Sequence, residues 1–308
     1  MRYVFFGSGE LGRLTLKSLV RYAPPVLVVS RPDRPKGRRR ILSPTVVKAE
    51  AERMNLPVAT PESPNAPEFV NFLKTLKPDF IFLADFGAIL KEAVLDVPRV
   101  APLGMHPSLL PKYRGAAPIE HAFFNCERLT GVSVFIMERR IDAGRIVLQE
   151  TLEIDPCNQT RGEVLPLFAA LGARLLYEGA NMLLEGSVEP RPQVGEVSYA
   201  PKIRPEDEFI KPEEGVMRTV GRINGLSPAP GARYRWSRGG RVLDLKLLKA
   251  SPHSGDVSVP LGEFHYDRRN RLLLLGCSDG AARIHLLKVA GKPRPFNAEE
   301  FANGYLRR

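Results

Sequence analysis

Three things are scarce in this 308-residue chain: cysteine, long apolar runs and, over its last third, acidic residues. The three cysteines, Cys126, Cys157 and Cys277, lie far apart with no Cys-x-x-Cys or metal-ligand spacing. That excludes a disulfide framework and a zinc site and leaves inert thiols as the expectation. No apolar stretch approaches the ~20 residues that span a bilayer. The N-terminus, Met1-Arg2-Tyr3-Val4-Phe5-Phe6-Gly7, meets a glycine too early to supply a signal-peptide apolar region. A cytoplasmic chain without a membrane partner is therefore expected, and nothing in the residue pattern calls for a metal ion. No internal repeat is visible.

The shortage of acidic residues is local. Residues 209–308 hold 18 Lys+Arg against 9 Asp+Glu, whereas residues 1–208 hold 27 against 25, so +9 of the net +11 sits in the last third. A sign asymmetry of that kind points to a polyanionic partner for that part. The length supports about two domains, since single cores rarely grow beyond ~250 residues.

What is present begins with alternating strands and helices. Tyr3–Phe6 reads as a short apolar strand and Leu14, Leu16 and Leu19 as one helix face. Further strands are expected at 26–30, 57–59 and 79–84, with helices at 44–54 and 68–76 between them. That alternation predicts an α/β fold, a doubly wound and mostly parallel sheet, with its ligand crevice beyond the carboxyl ends of the strands. Gly7-x-Gly9-x-x-Gly12 between strand and helix is formally a dinucleotide fingerprint. The next strand, however, ends in Arg31-Pro32-Asp33-Arg34, with only Asp33, set among cations, to take a ribose hydroxyl; a tight turn that lets a helix pack on the sheet is the better reading.

Strands are again expected at 131–137 and 145–149, and a helix over 160–184 that Glu185-Gly186-Ser187 stops. Pro190, Pro192, Pro201 and Pro205 then mark a surface linker. Beyond it a helix at 214–222 and strands at 232–236, 242–249, 272–275 and 282–289 predict a small β-barrel. The domain boundaries follow: 1–188, a linker over 189–208, and a basic C-terminal domain over 209–308. Tyr234 and Trp236, flanked by arginines, suit either a barrel core or an RNA-facing strand.

The stretch Gly104–Ile119, with one histidine and three prolines, reads as a rigid loop at the crevice. Pro107 fixes the chain after His106, so that imidazole is pre-oriented. Asp142, in a glycine-containing turn after a later strand, is the natural carboxylate partner, because an aspartate can fix a histidine tautomer and balance its protonated form.

His106, the run Ser108-Leu109-Leu110-Pro111-Lys112-Tyr113-Arg114-Gly115-Ala116-Ala117-Pro118-Ile119, the Asp142-Ala143-Gly144 turn and the early Arg31-Pro32-Asp33-Arg34-Pro35-x-Gly37 loop together resemble the methionyl-tRNA formyltransferases, a branch of the folate-dependent formyltransferases. The likeness runs along nearly the whole chain. It implies a C-terminal barrel resembling an OB-fold, 10-formyltetrahydrofolate as cosubstrate, and transfer of its formyl group to the α-amino group of methionyl initiator tRNA by a monomer. His106 and Asp142 fill two places of the family's Asn-His-Asp catalytic set. By the same resemblance and the crevice position, Leu83, Asp85, Phe86, Gly87, Ser108, Leu109, Leu110, Pro111, Ala143 and Gly144 are expected at the folate. Arg31, Arg34, Lys36, Arg38, Arg39 and Arg40 are expected at the acceptor arm of the tRNA.

The third catalytic place carries Gly104, where the family has asparagine. Loss of one oxyanion donor typically lowers a rate by ~10²–10³, so Gly104→Asn is expected to raise activity tenfold or more. Two rivals remain: a formyltransferase acting on another amine, such as a nucleotide-linked amino sugar, and a non-catalytic RNA-binding descendant.

Overall fold

The computed structural model describes residues 1–36, 40–238, 240–255 and 257–306. They fall into two compact units: Met1–Gly115 with Gly131–Leu152 and Leu165–Tyr199, and Ala116–Thr130 with Glu153–Val164 and Ala200–Arg308.

The first unit runs β1 (Tyr3–Phe6), α1 (Glu10–Leu19), β2 (Leu27–Val29), β3 (Arg34–Lys36), β4 (Ile41–Ser43), α2 (Val46–Arg53), β5 (Val58–Ala59), α3 (Pro67–Thr75), β6 (Phe80–Leu83), α4 (Glu92–Leu95) and β7 (Ala101–His106). After α5 (Pro118–Phe124), which lies in the second unit, the chain returns as β8 (Leu129–Ile136), β9 (Ile146–Glu153) and the long α6 (Arg161–Glu185). Seven strands form one sheet in the order β5-β2-β1-β6-β7-β8-β9. The pairs from β5 to β7 are parallel, and β8 joins β7 antiparallel. Val4, Phe5, Phe6, Val28, Val29, Phe80, Ile81 and Phe82 are all fully buried, as a sheet covered by helices on both faces requires. The doubly wound expectation is met.

The glycine pattern after β1 has a packing cause. Asp85 holds its backbone in the left-handed region, φ 53°, and one carboxylate oxygen accepts from the N–H of Leu11 in the first turn of α1 at 3.2 Å. Its carbonyl also accepts from Ser8 N and Gly9 N. A Cβ on Gly9 would stand 2.0 Å from that carboxylate and one on Gly12 2.5 Å from the Ala84 carbonyl. The glycines let α1 and the end of β6 interlock.

One expectation is overturned here. Gly104, Met105 and His106 are the end of strand β7, not the start of a loop. Leu83 pairs with Gly104 on one side, and Phe135, Val134 and Ser133 pair with Gly104, Met105 and His106 on the other. Glycine and the following proline look like loop punctuation, but strands on both sides supply the backbone partners, and the segment is buried. The irregular loop begins at Pro107. The basic stretch after β2 likewise differs from a plain loop: β3 and β4 form a two-stranded hairpin, Arg34 opposite Ser43 and Lys36 opposite Ile41.

The second unit contains α7 (Val216–Gly225), β10 (Ala232–Arg238), β11 (Arg241–Pro252), β12 (Phe264–Asp267), β13 (Leu272–Cys277), β14 (Gly280–Val289), β15 (Phe296–Asn297) and α8 (Ala298–Phe301). Its antiparallel sheet runs β10-β11-β14-β13-β12, with β15 added on β14, and a register shift near Lys249 bends the β11–β14 pair. Side chains draw the end strands together. Tyr234 on β10 donates to the Gly262 carbonyl, and Trp236 Nε1 donates to Glu263 just before β12. Trp236, Phe264, Leu245, Leu273, Ile284 and Phe301 share one buried cluster, so Trp236 is core.

Asn224 explains why residues 153–164 belong to this unit. Its buried amide donates to the Pro156 and Ala250 carbonyls at 2.8 and 2.9 Å and accepts from Ala250 N at 3.0 Å. Among the described residues no helix is long and apolar enough to cross a membrane, and no cluster of three metal-ligating side chains occurs.

Candidate functional site

Side chains alternate along a strand, so Gly104 and His106 face the same side of β7, with Phe135 and Ser133 opposite them on β8. His106 is buried, with its side chain 6% exposed. Its Nε2 lies 2.8 Å from the carbonyl oxygen of Tyr113. A carbonyl only accepts, so Nε2 carries a hydrogen and donates it. That leaves Nδ1 as the ring nitrogen with the lone pair. Nδ1 faces a carboxylate oxygen of Asp142 at 3.6 Å, within ion-pair range and slightly beyond a direct hydrogen bond. The two residues that the sequence pairs are therefore brought together.

Both members of the pair are held from behind. The same Asp142 oxygen accepts from Gly115 N at 2.9 Å, and Asp142 sits in the left-handed region at φ 53°. Gln193 donates from Nε2 to the carbonyls of Asp142 and Gly144, both at 2.9 Å. Its Oε1 accepts from Arg114 Nε and Nη2 at 3.2 and 2.7 Å. Tyr113 N donates to Ser198 Oγ at 2.9 Å.

The loop after His106 is fixed by a buried network. Ser133 Oγ donates to the Ser108 carbonyl and accepts from Leu110 N, while Gln149 Nε2 donates to Ser133 Oγ and the Leu110 carbonyl. Ser108 Oγ donates to the Lys112 carbonyl. Gln193, Ser198, Ser133 and Gln149 are absent from the expected site residues, because nothing in a Pro-rich linker or in two strands says which distant backbone groups their side chains reach.

Of the residues expected at the folate, Leu83 and Phe86 pack with Met137 on one apolar cluster, and Leu110 packs with Phe135, Ile146 and the same Met137 on another. Met137 thus joins the two sets and was not foreseen. Leu109 lies over Gly131, Pro111 is buried, and the Gly144 carbonyl already accepts from Gln193. Asp85 is engaged at α1, and Gly87 N donates to Ser8 Oγ at 3.0 Å.

Gly104 has a neighbour that the sequence did not suggest. A Cβ there would meet the Phe135 ring at 2.7 and 2.8 Å and Met137 Cγ at 3.1 Å. Gly104→Asn therefore requires the Phe135 ring to shift, which sets a packing cost against the expected gain.

The basic set divides. Arg34 and Arg40 are exposed on or beside the hairpin, Arg34 within 3.4 Å of Glu62. Arg31 stands apart, its guanidinium against Gly87 at the crevice. Asp33 is paired with Lys48 at 2.8 Å, a hydrogen bond that raises the Lys48 pKa. Arg38 and Arg39 lie outside the described residues, as does the side chain of Lys36.

The chain matches the formyl transferase family over residues 1–178 and the formyl transferase C-terminal domain over residues 202–306. Among curated relatives, the methionyl-tRNA formyltransferase of Thermodesulfovibrio yellowstonii is 33% identical over 303 residues, covering 98% of this chain and 95% of that protein. That of Pelotomaculum thermopropionicum is 36% identical over 305 residues, covering 99% and 96%. Among solved structures, HypX from Aquifex aeolicus in complex with tetrahydrofolic acid shares the fold, with a TM-score of 0.67 at 18% identity; it covers 100% of this chain, which spans only 48% of the HypX chain.

Proposed function

The chain belongs to the formyl transferase family, and on that premise we propose that it transfers a formyl group from 10-formyltetrahydrofolate to the α-amino group of methionyl initiator tRNA. The observation that carries the chemistry is the His106–Asp142 pair, Nδ1 facing carboxylate at 3.6 Å at the end of a central strand. Near-full-length identity of 33–36% to methionyl-tRNA formyltransferases carries the choice of acceptor.

Acyl transfer to an amine leaves negative charge on the acyl oxygen and a surplus proton on nitrogen, and a site accelerates it by meeting both. The formyl group is the folate's contribution. As the amine attacks the formyl carbon, His106 Nδ1 takes its proton. The protonated ring, with Nε2–H held on Tyr113, then presents Nδ1–H as a donor to the acyl oxygen while the Asp142 carboxylate balances its charge, and that proton passes to N10 of the tetrahydrofolate as the C–N10 bond breaks. A half-buried apolar surface of Leu83, Phe86 and Met137, level with Gly104 on the strand that carries His106, suits a flat heteroaromatic ring. We assign the folate ring to that surface. Ser108, Leu109, Leu110, Pro111, Ala143 and Gly144 shape its surroundings, and Gly87 borders it with Arg31; Asp85 serves α1. We assign catalysis to 1–188, the linker to 189–208 and tRNA contact to 209–308 together with the β3–β4 hairpin.

Purified protein incubated with 10-formyltetrahydrofolate and methionyl initiator tRNA is expected to yield formylmethionyl-tRNA; turnover only with amino-sugar nucleotides, or with no amine at all, overturns the assignment. Because phosphate contacts release counterions, the double variant Arg34→Ala/Arg40→Ala should flatten the slope of log K against log salt. Each lost contact removes about 0.7–0.9 of slope, measured by filter binding across a salt series. An unchanged slope removes the hairpin from the interface.

A further inference from the structure

Between residues 191 and 199 every residue is exposed except two, Gln193 and Ser198. The strap otherwise turns outward such large side chains as Val194, 86% exposed, and Tyr199, 71% exposed. An uninvolved linker has no reason to shelter its two amide- and hydroxyl-bearing side chains while leaving valine and tyrosine in water, since burial favours the opposite choice. Both sheltered groups end on the backing of the His106–Asp142 pair.

Gln193 uses its whole hydrogen-bonding capacity there. Its two N–H groups donate to the carbonyls of Asp142 and Gly144, and its oxygen accepts from two nitrogens of Arg114. Asp142 is a non-glycine residue in the left-handed region, φ 53°, a conformation that persists only where its surroundings impose it. Ser198 acts on the other member. Its Oγ accepts from Tyr113 N, its carbonyl accepts from Arg114 N, and its own N donates to the Pro111 carbonyl. Tyr113, also left-handed at φ 61°, is the residue whose carbonyl holds His106 Nε2–H.

We propose that Gln193 and Ser198 are positioning residues for formyl transfer: one strap of linker sets the Asp142 carboxylate through Gln193 and the His106 tautomer through Ser198. The proposal rests on the reading of His106 and Asp142 as the reacting pair. Gln193 does not touch substrate in this account; it acts by keeping Asp142 Oδ2 on the Nδ1 side of the ring.

The test compares Gln193→Ala, Gln193→Glu and Ser198→Ala in the full chain. Gln193→Glu keeps an acceptor for Arg114 but cannot donate to the Asp142 and Gly144 carbonyls. The charge pair it keeps with Arg114 is expected to hold its urea midpoint above that of Gln193→Ala while kcat stays as low as in that variant. Small misplacements of a reacting group cost up to about 10²-fold, so kcat should fall roughly 10–100-fold in both, with KM for tRNA and folate within about threefold of wild type. Ser198→Ala should lower kcat less, because Tyr113 remains held by the loop. A kcat that recovers with stability in Gln193→Glu, or a loss confined to KM, makes the strap a structural tie only and overturns the proposal.

A second readout does not need turnover. The ring-nitrogen NMR signals of His106, assigned with a His106→Gln control, should report a Nε2–H tautomer in the wild type and a displaced Nδ1 chemical shift in Gln193→Ala. Unchanged His106 signals overturn the positioning claim. An inactive wild type with the expected His106 shifts instead faults the assigned reaction and leaves the positioning intact.

Discussion

Asp142→Asn yields a folded protein whose formyl transfer is slower by about 10²–10⁴-fold, the span typical of losing one positioned acid–base group. The amide retains an oxygen that can accept from Gly115 N, a bond of 2.9 Å in the parent, so the turn keeps its main tether and the melting transition should move little. What disappears is the charge. Without a carboxylate a protonated His106 ring has no counter-charge at the 3.6 Å position, so uptake of the amine proton at Nδ1 is disfavoured. Single-turnover kinetics at saturating folate and tRNA separate this from a binding defect: the chemical step falls and the half-saturation concentrations hold. Asp142→Ala, which also abandons Gly115 N, should lose stability as well as rate. His106→Ala is a poorer probe, because it also removes the Nε2–H bond to the Tyr113 carbonyl and so costs stability unrelated to chemistry. A rate within threefold of wild type in Asp142→Asn would remove the carboxylate from the mechanism.

Gly104→Asn lowers both stability and activity, the reverse of what the family pattern suggests. The new Cβ would stand 2.7 Å from Phe135 Cζ and 3.1 Å from Met137 Cγ, and Phe135 is buried opposite position 104 in the sheet. Relief requires the ring to leave its rotamer or the two strands to part. Overpacking of that kind costs about 1–3 kcal/mol, readable as a lower urea midpoint. The activity loss follows because His106 lies two residues along the same strand. The double variant Gly104→Asn/Phe135→Leu frees the space, and the pair should show a favourable coupling of about 0.5–3 kcal/mol in a double-mutant cycle. If Gly104→Asn alone is as stable as the parent and faster, the ring moves aside at no cost and the account of this position is wrong.

How far the sequence leads is visible at these same residues. The buried strands were legible because Tyr3–Phe6, Val26–Ser30 and Asp79–Ala84 are continuous β-branched and aromatic runs, and local composition suffices for them. His106 and Asp142 were legible through a motif that fixes residue types at a spacing. Gly104–His106 was misread, because a glycine and a proline signal a loop unless the flanking strands are known. Phe135 lies thirty-odd positions away and is set opposite Gly104 only by register, which one sequence does not reveal. Gln193 and Ser198 sit among prolines and exposed residues and acquire meaning only when the chain folds back onto the loop after His106. The grouping of residues 116–130 and 153–164 with the C-terminal part escaped for the same reason: Asn224 reaches Pro156 across 68 positions of sequence.

The interlock between Asp85 and the first turn of α1 bears on what the crevice ignores. The start of a helix, with its free N–H groups and positive dipole end, attracts phosphate, and the glycine pattern around it resembles those that bind dinucleotides. Here a carboxylate of the chain itself already accepts from Leu11 N. A phosphorylated metabolite arriving there meets an aspartate and a donor already engaged, so nucleotides would be poor competitors for a folate at the neighbouring strand end.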